Sequence, residues 1–394
     1  MMKPQAGWRL SLLIVLALCA ALGGVAEASP PAFWFACVVS PLGSGPEWFE
    51  YLGATDLDQD GNVDLTYLDW ASMIWTYRGM GNGTFDPVPS LQFGPRLEDG
   101  MSSSAASQFV DIDDDGDEDL VVSSTDFSDA GWTPRLWVIE NTGAQLGGRK
   151  SASFEMPSEF SLLCPVRGAG GRGFVAAAAT FTETGELSTQ VYEIRGEAGW
   201  VFSEAREVAS LENSLPTHIG DVDGDGVVDV VVQTDRKSDA GSWGVRVLYG
   251  DGVGGYAEAW CPDGDAPAEP QSVDAGWAYE TLEQVHGVDC GDVDEDGHTD
   301  AVIWTEARVS VALWDAGHFV AAGDYDQRVG FPYLVDVDGD RHLDLVTRNG
   351  AWMSLRMGDG CGGFGPVVSE SALEQEGVLH WVDVNGDGFA DIAN

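Results

Sequence analysis

The chain has 394 residues, 65 of them acidic against 19 basic, giving a formal net charge of −46, and 44% of its residues are hydrophobic. So strong a negative field excludes nucleic acid and anionic membrane surfaces as electrostatic partners. The hydrophobic fraction is ample for a core in a chain of this length.

At the N-terminus, Lys3 and Arg9 precede an apolar run from Leu10 to Val25, followed by Ala26-Glu27-Ala28, a small-x-small cleavage site. This pattern predicts a secretory signal peptide over residues 1–28 and a secreted protein, extracellular, at the cell surface or periplasmic. No other stretch is as apolar, so no membrane span is expected once the leader is removed.

The first of six related nine-residue loops, DLDQDGNVD, carries Asp56, Asp58, Asp60 and Asp64 at positions 1, 3, 5 and 9, with Asn62 at position 7. The second, DIDDDGDED, has Asp111, Asp113, Asp115, Asp117 and Asp119 at the same places. DVDGDGVVD supplies Asp221, Asp223, Asp225, Val227 and Asp229; DVDEDGHTD supplies Asp292, Asp294, Asp296, His298 and Asp300. DVDGDRHLD gives Asp336, Asp338, Asp340, His342 and Asp344, and DVNGDGFAD gives Asp383, Asn385, Asp387, Phe389 and Asp391. Calcium is a hard ion that takes six to eight oxygens; alternate carboxylates, a turn glycine at position 6 and a backbone carbonyl at position 7 suit it. One spacing repeated six times is a ligand pattern rather than a solvated acidic run, and about six calcium ions are expected. An EF-hand is excluded, because position 12 holds Tyr67, Val122, Val232, Ile303, Thr347 or Asn394 in place of its bidentate Glu. Flanks such as FVDI and VVDVVVQT are β-branched, so each loop joins two strands. The loop at Asp111 adds Asp114 and Glu118 and is expected to bind most tightly; the loop at Asp336 carries Arg341 where a glycine-type turn is needed.

First aspartates fall at 56, 111, 221, 292, 336 and 383, and the gap of 110 is twice the first gap of 55. A degenerate copy fills it: CPVRGAGGRGFVAAAAT keeps Gly171 at the turn and has no aspartate. Each unit also ends in a Gly-rich turn running into an aromatic, as in YRGMGNGTF to Phe85, LYGDGVGGY to Tyr256 and LRMGDGCGGF to Phe364. Seven units with several short strands each, at a period near 50 residues, predict an all-β, seven-bladed β-propeller over residues 29–394. FACVVS at Phe35–Ser40 precedes Asp56 much as FGPVVS at Phe364–Ser369 precedes Asp383, so Phe35–Ser40 is expected as an outer strand closing the seventh blade. The third strand of that blade has no candidate.

These loops and Gly-rich turns resemble the FG-GAP/VCBS repeat family, which includes the propeller of integrin α subunits. The resemblance spans about Phe35 to Asn394 and implies calcium in the hairpins between first and second strands, on one face of the propeller. Arg341, Asn385 and the metal-free third unit depart from the pattern.

The long, variable segments belong to the opposite face. Three carry related strings, DAGW to Trp132, DAGSW to Trp243 and DAGW to Trp277, and exposed Trp beside carboxylates suits a sugar ring or a protein partner. Rim packing is the competing role for these side chains. A polar row of Gln108, His218, Asp289, Tyr333 and His380 shares one first-strand position and is expected to line a hydrated channel. After leader removal five cysteines remain: Cys37, Cys164, Cys261, Cys290 and Cys361, with Cys164 and Cys290 read as small core residues. No GxSxG, HExxH or P-loop occurs. The expected function is therefore that of a monomeric, secreted, calcium-binding adhesion or binding module for an extracellular carbohydrate or protein, not an enzyme. The alternative is a polysaccharide lyase or glycosidase on the same scaffold.

Overall fold

Strands of β-branched and aliphatic residues follow each acidic loop, and in a computed structural model of the chain they are its most buried elements. Asp64–Asp69 is buried at every position, and Asp229–Thr234 and Asp300–Thr305 at all but one. A short strand covered on both sides reads as a near-continuous apolar run, and DVVVQT is one. The structure describes residues 12–18, 35–41, 49–69, 73–93, 102–128, 131–143, 145–168, 171–181, 185–197, 201–234, 243–252, 255–258, 279–281, 283–315, 317–325, 330–350, 352–372 and 380–393.

The described strands form seven antiparallel sheets of four or five strands and one two-stranded ribbon. The first sheet runs Phe49–Thr55, Asp64–Asp69, Ile74–Tyr77 and Ser90–Phe93 in chain order. The second to sixth repeat that order, starting at Ser102, Leu162, Ser214, Val285 and Phe331. The third adds the ribbon Gly196–Glu197 with Val201–Phe202, and the fourth adds Tyr279–Thr281 beside Trp243–Gly250.

Seven apolar clusters join neighbouring sheets. Leu52 and Leu68 pack with Leu120 and Trp137 between the first and second, and Val121 and Leu136 with Phe174 and Tyr192 between the second and third. Val175 meets Val230, and Val231 meets Ala301 and Trp314. Val302 meets Leu345, Val346 meets Ile392, and Val384 packs against Leu65 and Tyr77, which carries the seventh sheet back to the first. The architecture is all-β and propeller-like. Among the described residues no helix is long and apolar enough to cross a membrane.

The seventh sheet holds His380–Val382, Asp391–Ala393 and, at its outer edge, Phe35–Pro41. Between them lies Leu12–Leu18, paired at Leu16 with Ile392 and along its whole length with Phe35–Pro41. The apolar run read as part of the leader thus occupies the third-strand position for which the sequence offered no candidate. The reason is physical: the outer strand runs parallel to Asp391–Ala393 and cannot complete an antiparallel sheet without a strand between them.

Candidate metal centre

Each acidic loop is a tight turn built on its own aspartates. In five loops position 1 accepts the N–H of position 6, as in Asp56 with Gly61 at 2.8 Å, Asp221 with Gly226 at 2.9 Å and Asp383 with Gly388 at 2.8 Å. Position 5 accepts the N–H of position 7, as in Asp60 with Asn62, Asp225 with Val227, Asp296 with His298 and Asp387 with Phe389, at 2.7–3.0 Å. These bonds close only if the backbone curls left-handed. Position 6 has φ from +79° to +96° in all six loops, Arg341 included at +79°. Position 4 is left-handed as well, at Gln59, Asp114, Gly224, Glu295, Gly339 and Gly386.

Position 2 is always aliphatic, and Leu57, Ile112, Val222, Val293, Val337 and Val384 are all buried between sheets. Position 9 is a clamp. In every loop its Oδ2 accepts the N–H of position 2, at 2.8–3.1 Å. In five loops its Oδ1 accepts an N–H from the end of the third strand, at Gly79, Asn141, Gly250, Trp314 and Gly358, at 2.8–2.9 Å. The acidic loop and the Gly-rich turn therefore share one face, fastened through one carboxylate. In the seventh sheet the register puts Leu18 at the donor's place, the strand ends there, and Oδ1 of Asp391 is buried without a partner among the described residues. Burial lifts these six carboxyls, Asp64, Asp300, Asp344 and Asp391 to about 6 and Asp119 and Asp229 to about 7; neighbouring ligand carboxylates add to the rise.

Three carboxylates come within 4.8 Å of one another in five loops: Asp56, Asp58 and Asp64; Asp111, Asp113 and Asp115; Asp221, Asp223 and Asp225; Asp292, Asp294 and Asp300; Asp336, Asp338 and Asp340. In the sixth, Asn385 offers an amide oxygen and donates through Nδ2 to Asp391 at 3.3 Å. Asp117, at position 7, turns its side chain inward, where burial and then Asp115 raise it to about 6. Side chains at the other position-7 residues, Asn62, Val227, His298, His342 and Phe389, are outside these carboxylate triads. All-oxygen donors crowded on a strained turn fit a hard divalent cation such as calcium.

Two loops already carry an internal cation. Arg78 reaches Asp58 at 3.0 Å and Asp60 at 2.5 Å from an exposed position. Arg172, nine-tenths buried, comes from the metal-free third unit, ion-pairs with Asp114 and lies 3.9 Å from Asp111. Calcium at the second loop must compete with that guanidinium, which the extra acids seen in sequence do not reveal.

The metal-free unit forms the expected hairpin, Leu162–Gly168 against Gly171–Phe181, closing at the Gly168–Gly171 pair. Of the three tryptophans, Trp132 lies in strand Gly131–Asn141 and Trp243 opens strand Trp243–Gly250, so neither is in a loop. Trp243 is partly buried against the cluster between the fourth and fifth sheets; Trp277 is outside the described residues. All five residues of the polar row, Gln108, His218, Asp289, Tyr333 and His380, are half-buried. Asp289 accepts the Leu334 N–H at 2.7 Å and the Cys290 N–H at 3.0 Å, tying the fifth sheet to the sixth. Burial holds His380 down to about 4, with its ring 4.0 Å from that of Tyr51, and lowers His218 too. Cys164 and Cys290 are free thiols raised by burial, and Cys361 is an exposed free thiol; Cys261 is outside the described residues.

The FG-GAP-like repeat profile matches residues 56–122, the first loop through the strand after the second. No curated protein matches the chain in sequence. Among solved structures, it is similar to an Agrocybe aegerita lectin that recognises non-reducing terminal N-acetylglucosamine, with 17% identity, 92% of this chain and 90% of that one covered, and a TM-score of 0.53. It is also similar to the periplasmic gluconolactonase of Pseudomonas aeruginosa, with 15% identity, 95% and 100% covered, and a TM-score of 0.48.

Proposed function

The chain carries an FG-GAP-like repeat, and on that premise we propose that it is a secreted, seven-bladed β-propeller that holds calcium in its hairpin loops and binds an extracellular carbohydrate or protein without catalysing a reaction. The observation that supports the metal reading is the convergence of three carboxylates in five loops that share left-handed backbone at positions 4 and 6. Calcium supplies the positive charge that lets these carboxylates stay ionised while close together. The chain's own residues do the rest: position 9 fastens the loop to the Gly-rich turn, and position 2 anchors it between sheets. The cyclic succession of seven apolar clusters supports the closed, seven-bladed reading. A similarly folded lectin that recognises a terminal amino sugar supports carbohydrate as the ligand class. The test is a glycan array probed with the protein in millimolar calcium and again in chelator. Calcium-dependent binding to a defined glycan supports the reading; lactone or polysaccharide turnover with no array signal would replace it with the enzymatic one.

A further inference from the structure

Loss of the acidic loop in the third unit leaves a hole, and the rest of the fold shows what normally fills it. The position-8 N–H of one loop donates to the position-2 carbonyl of the loop before it: Thr299 to Val222 at 3.0 Å, Ala390 to Val337 at 3.3 Å. Gly362, in a Gly-rich turn, donates likewise to Val293 at 3.3 Å. Three loops are thus roofed by the next sheet's loop or turn. The third sheet has no loop to offer, because its hairpin closes at Gly168–Gly171. Val228, the position-8 residue of the fourth sheet, instead lines a cleft of about 440 Å³ between the third and fourth sheets.

We infer that this vacated loop seat is the ligand pocket of the binding module and that it takes a neutral saccharide ring. The inference rests on the carbohydrate-binding reading above and gives it a location, on the metal-loop face rather than the face opposite. The size falls within the roughly 300–1,000 Å³ usual for small-molecule sites. Val166 and Val175 of the third sheet and Val227 and the Tyr256 ring of the fourth give apolar walls for the C–H face of a sugar. Burial keeps the Tyr256 phenol protonated, so it both donates and accepts. Its charged lining residues are Glu193 and Asp251, both acceptors for hydroxyl hydrogens. Arg195 and Arg206 hold Glu193 at 3.0 and 2.6 Å, and the Gly255 N–H holds Asp251 at 2.8 Å, so both carboxylates are oriented before a ligand arrives. Glu193 is offset by Arg195 and Arg206, and Asp251 is the acidic group of the lining that disfavours uronates and phosphorylated sugars beside it. One wall, Gly226–Val228, belongs to the acidic loop at Asp221, so calcium there shapes the pocket.

The test is calorimetric titration of the full chain in millimolar calcium with methyl glucoside, methyl galactoside, N-acetylglucosamine and glucuronate. Val166→Trp fills the cleft from the third sheet, outside every acidic loop. Glu193→Gln removes one hydroxyl acceptor without touching a metal loop. Expected are binding of at least one neutral sugar, binding of glucuronate at least tenfold weaker, and tenfold or greater loss of neutral-sugar affinity in Val166→Trp with its calcium-dependent melting retained. Glu193→Gln should weaken binding several-fold. Unchanged affinity in both variants would overturn the cleft while leaving the binding module standing. Preference for glucuronate would also overturn it. Failure of the parent to bind any of the neutral sugars, together with a blank glycan array, would remove the carbohydrate reading and the cleft with it.

Discussion

Arg341 shows what one side chain costs a turn. Five loops place glycine at position 6, and Arg341 holds the same left-handed conformation at φ +79°. A residue with a Cβ meets its own backbone there, a penalty of roughly 1–2 kcal/mol. Arg341→Gly should raise stability by up to about 1 kcal/mol, part of the gain being offset by unfolded-chain entropy, and should tighten calcium at that loop. A chemical melt with a calcium titration checks both, and a loss of affinity would mean the guanidinium holds the turn. Arg172 works in the other direction. Its buried guanidinium beside Asp111 and Asp114 opposes a second cation, so Arg172→Ala should bind calcium at that loop about tenfold more tightly and melt at lower temperature in chelator. Terbium luminescence titration separates these effects; unchanged affinity would show that the side chain swings clear when metal binds.

The acidic hairpin is the unit the fold repeats, and most of it was legible. Positions 1, 3, 5 and 9 were readable because oxygen ligands must be particular side chains. The left-handed turn at position 6 was readable from five glycines. Position 4 was hidden because Gln59, Asp114 and Glu295 adopt the same backbone without being glycine. The position-9 clamp was hidden for a related reason: its donors are backbone N–H groups at residues as unlike as Asn141, Gly250 and Trp314, which leave no side-chain signature. Trp243 was misplaced because its DAGSW string reads as a turn, yet cross-strand pairing with Thr281 makes it the start of a strand. The clamp sets a pH dependence. Burial raises the position-9 carboxyls from their ordinary value near 4 to about 6 or 7. Without metal the folded state then holds more protons than the unfolded chain between those limits, so the contribution of these carboxyls to stability is fully present below about pH 4 and is lost as pH rises toward 7. Calcium needs the ionised carboxylates, so its stabilising effect should grow over the same window. Melting curves from pH 4.5 to 7.5, in chelator and in calcium, should diverge as pH rises; parallel curves would mean the clamps titrate normally.

At the scale of the whole molecule, the described residues form seven larger sheets joined by seven apolar clusters, and one of these joins the first sheet to the last. The repeat period announced the units and the degenerate third, but not the use of Leu12–Leu18, whose composition reads as a leader. If export removes residues 1–28, the seventh sheet loses the strand between Phe35–Pro41 and Asp391–Ala393. Hydrogen exchange should then be faster at 391–393 in the processed chain than in the full one, and equal rates would show that another strand has taken the place. The surplus of 46 negative charges bears on the whole molecule: without counter-charge each acidic loop repels itself and its neighbours. A ligand that binds only the folded state at tenfold over its Kd contributes about 1.4 kcal/mol per site, so several loops together should dominate the stability of this protein. The decisive measurement is thermal unfolding of the full chain at pH 7.5 in millimolar calcium and in excess chelator. A melting temperature higher by about five degrees in calcium is expected from three such sites, and by about ten degrees from six; identical melting temperatures would contradict structural calcium in these hairpins.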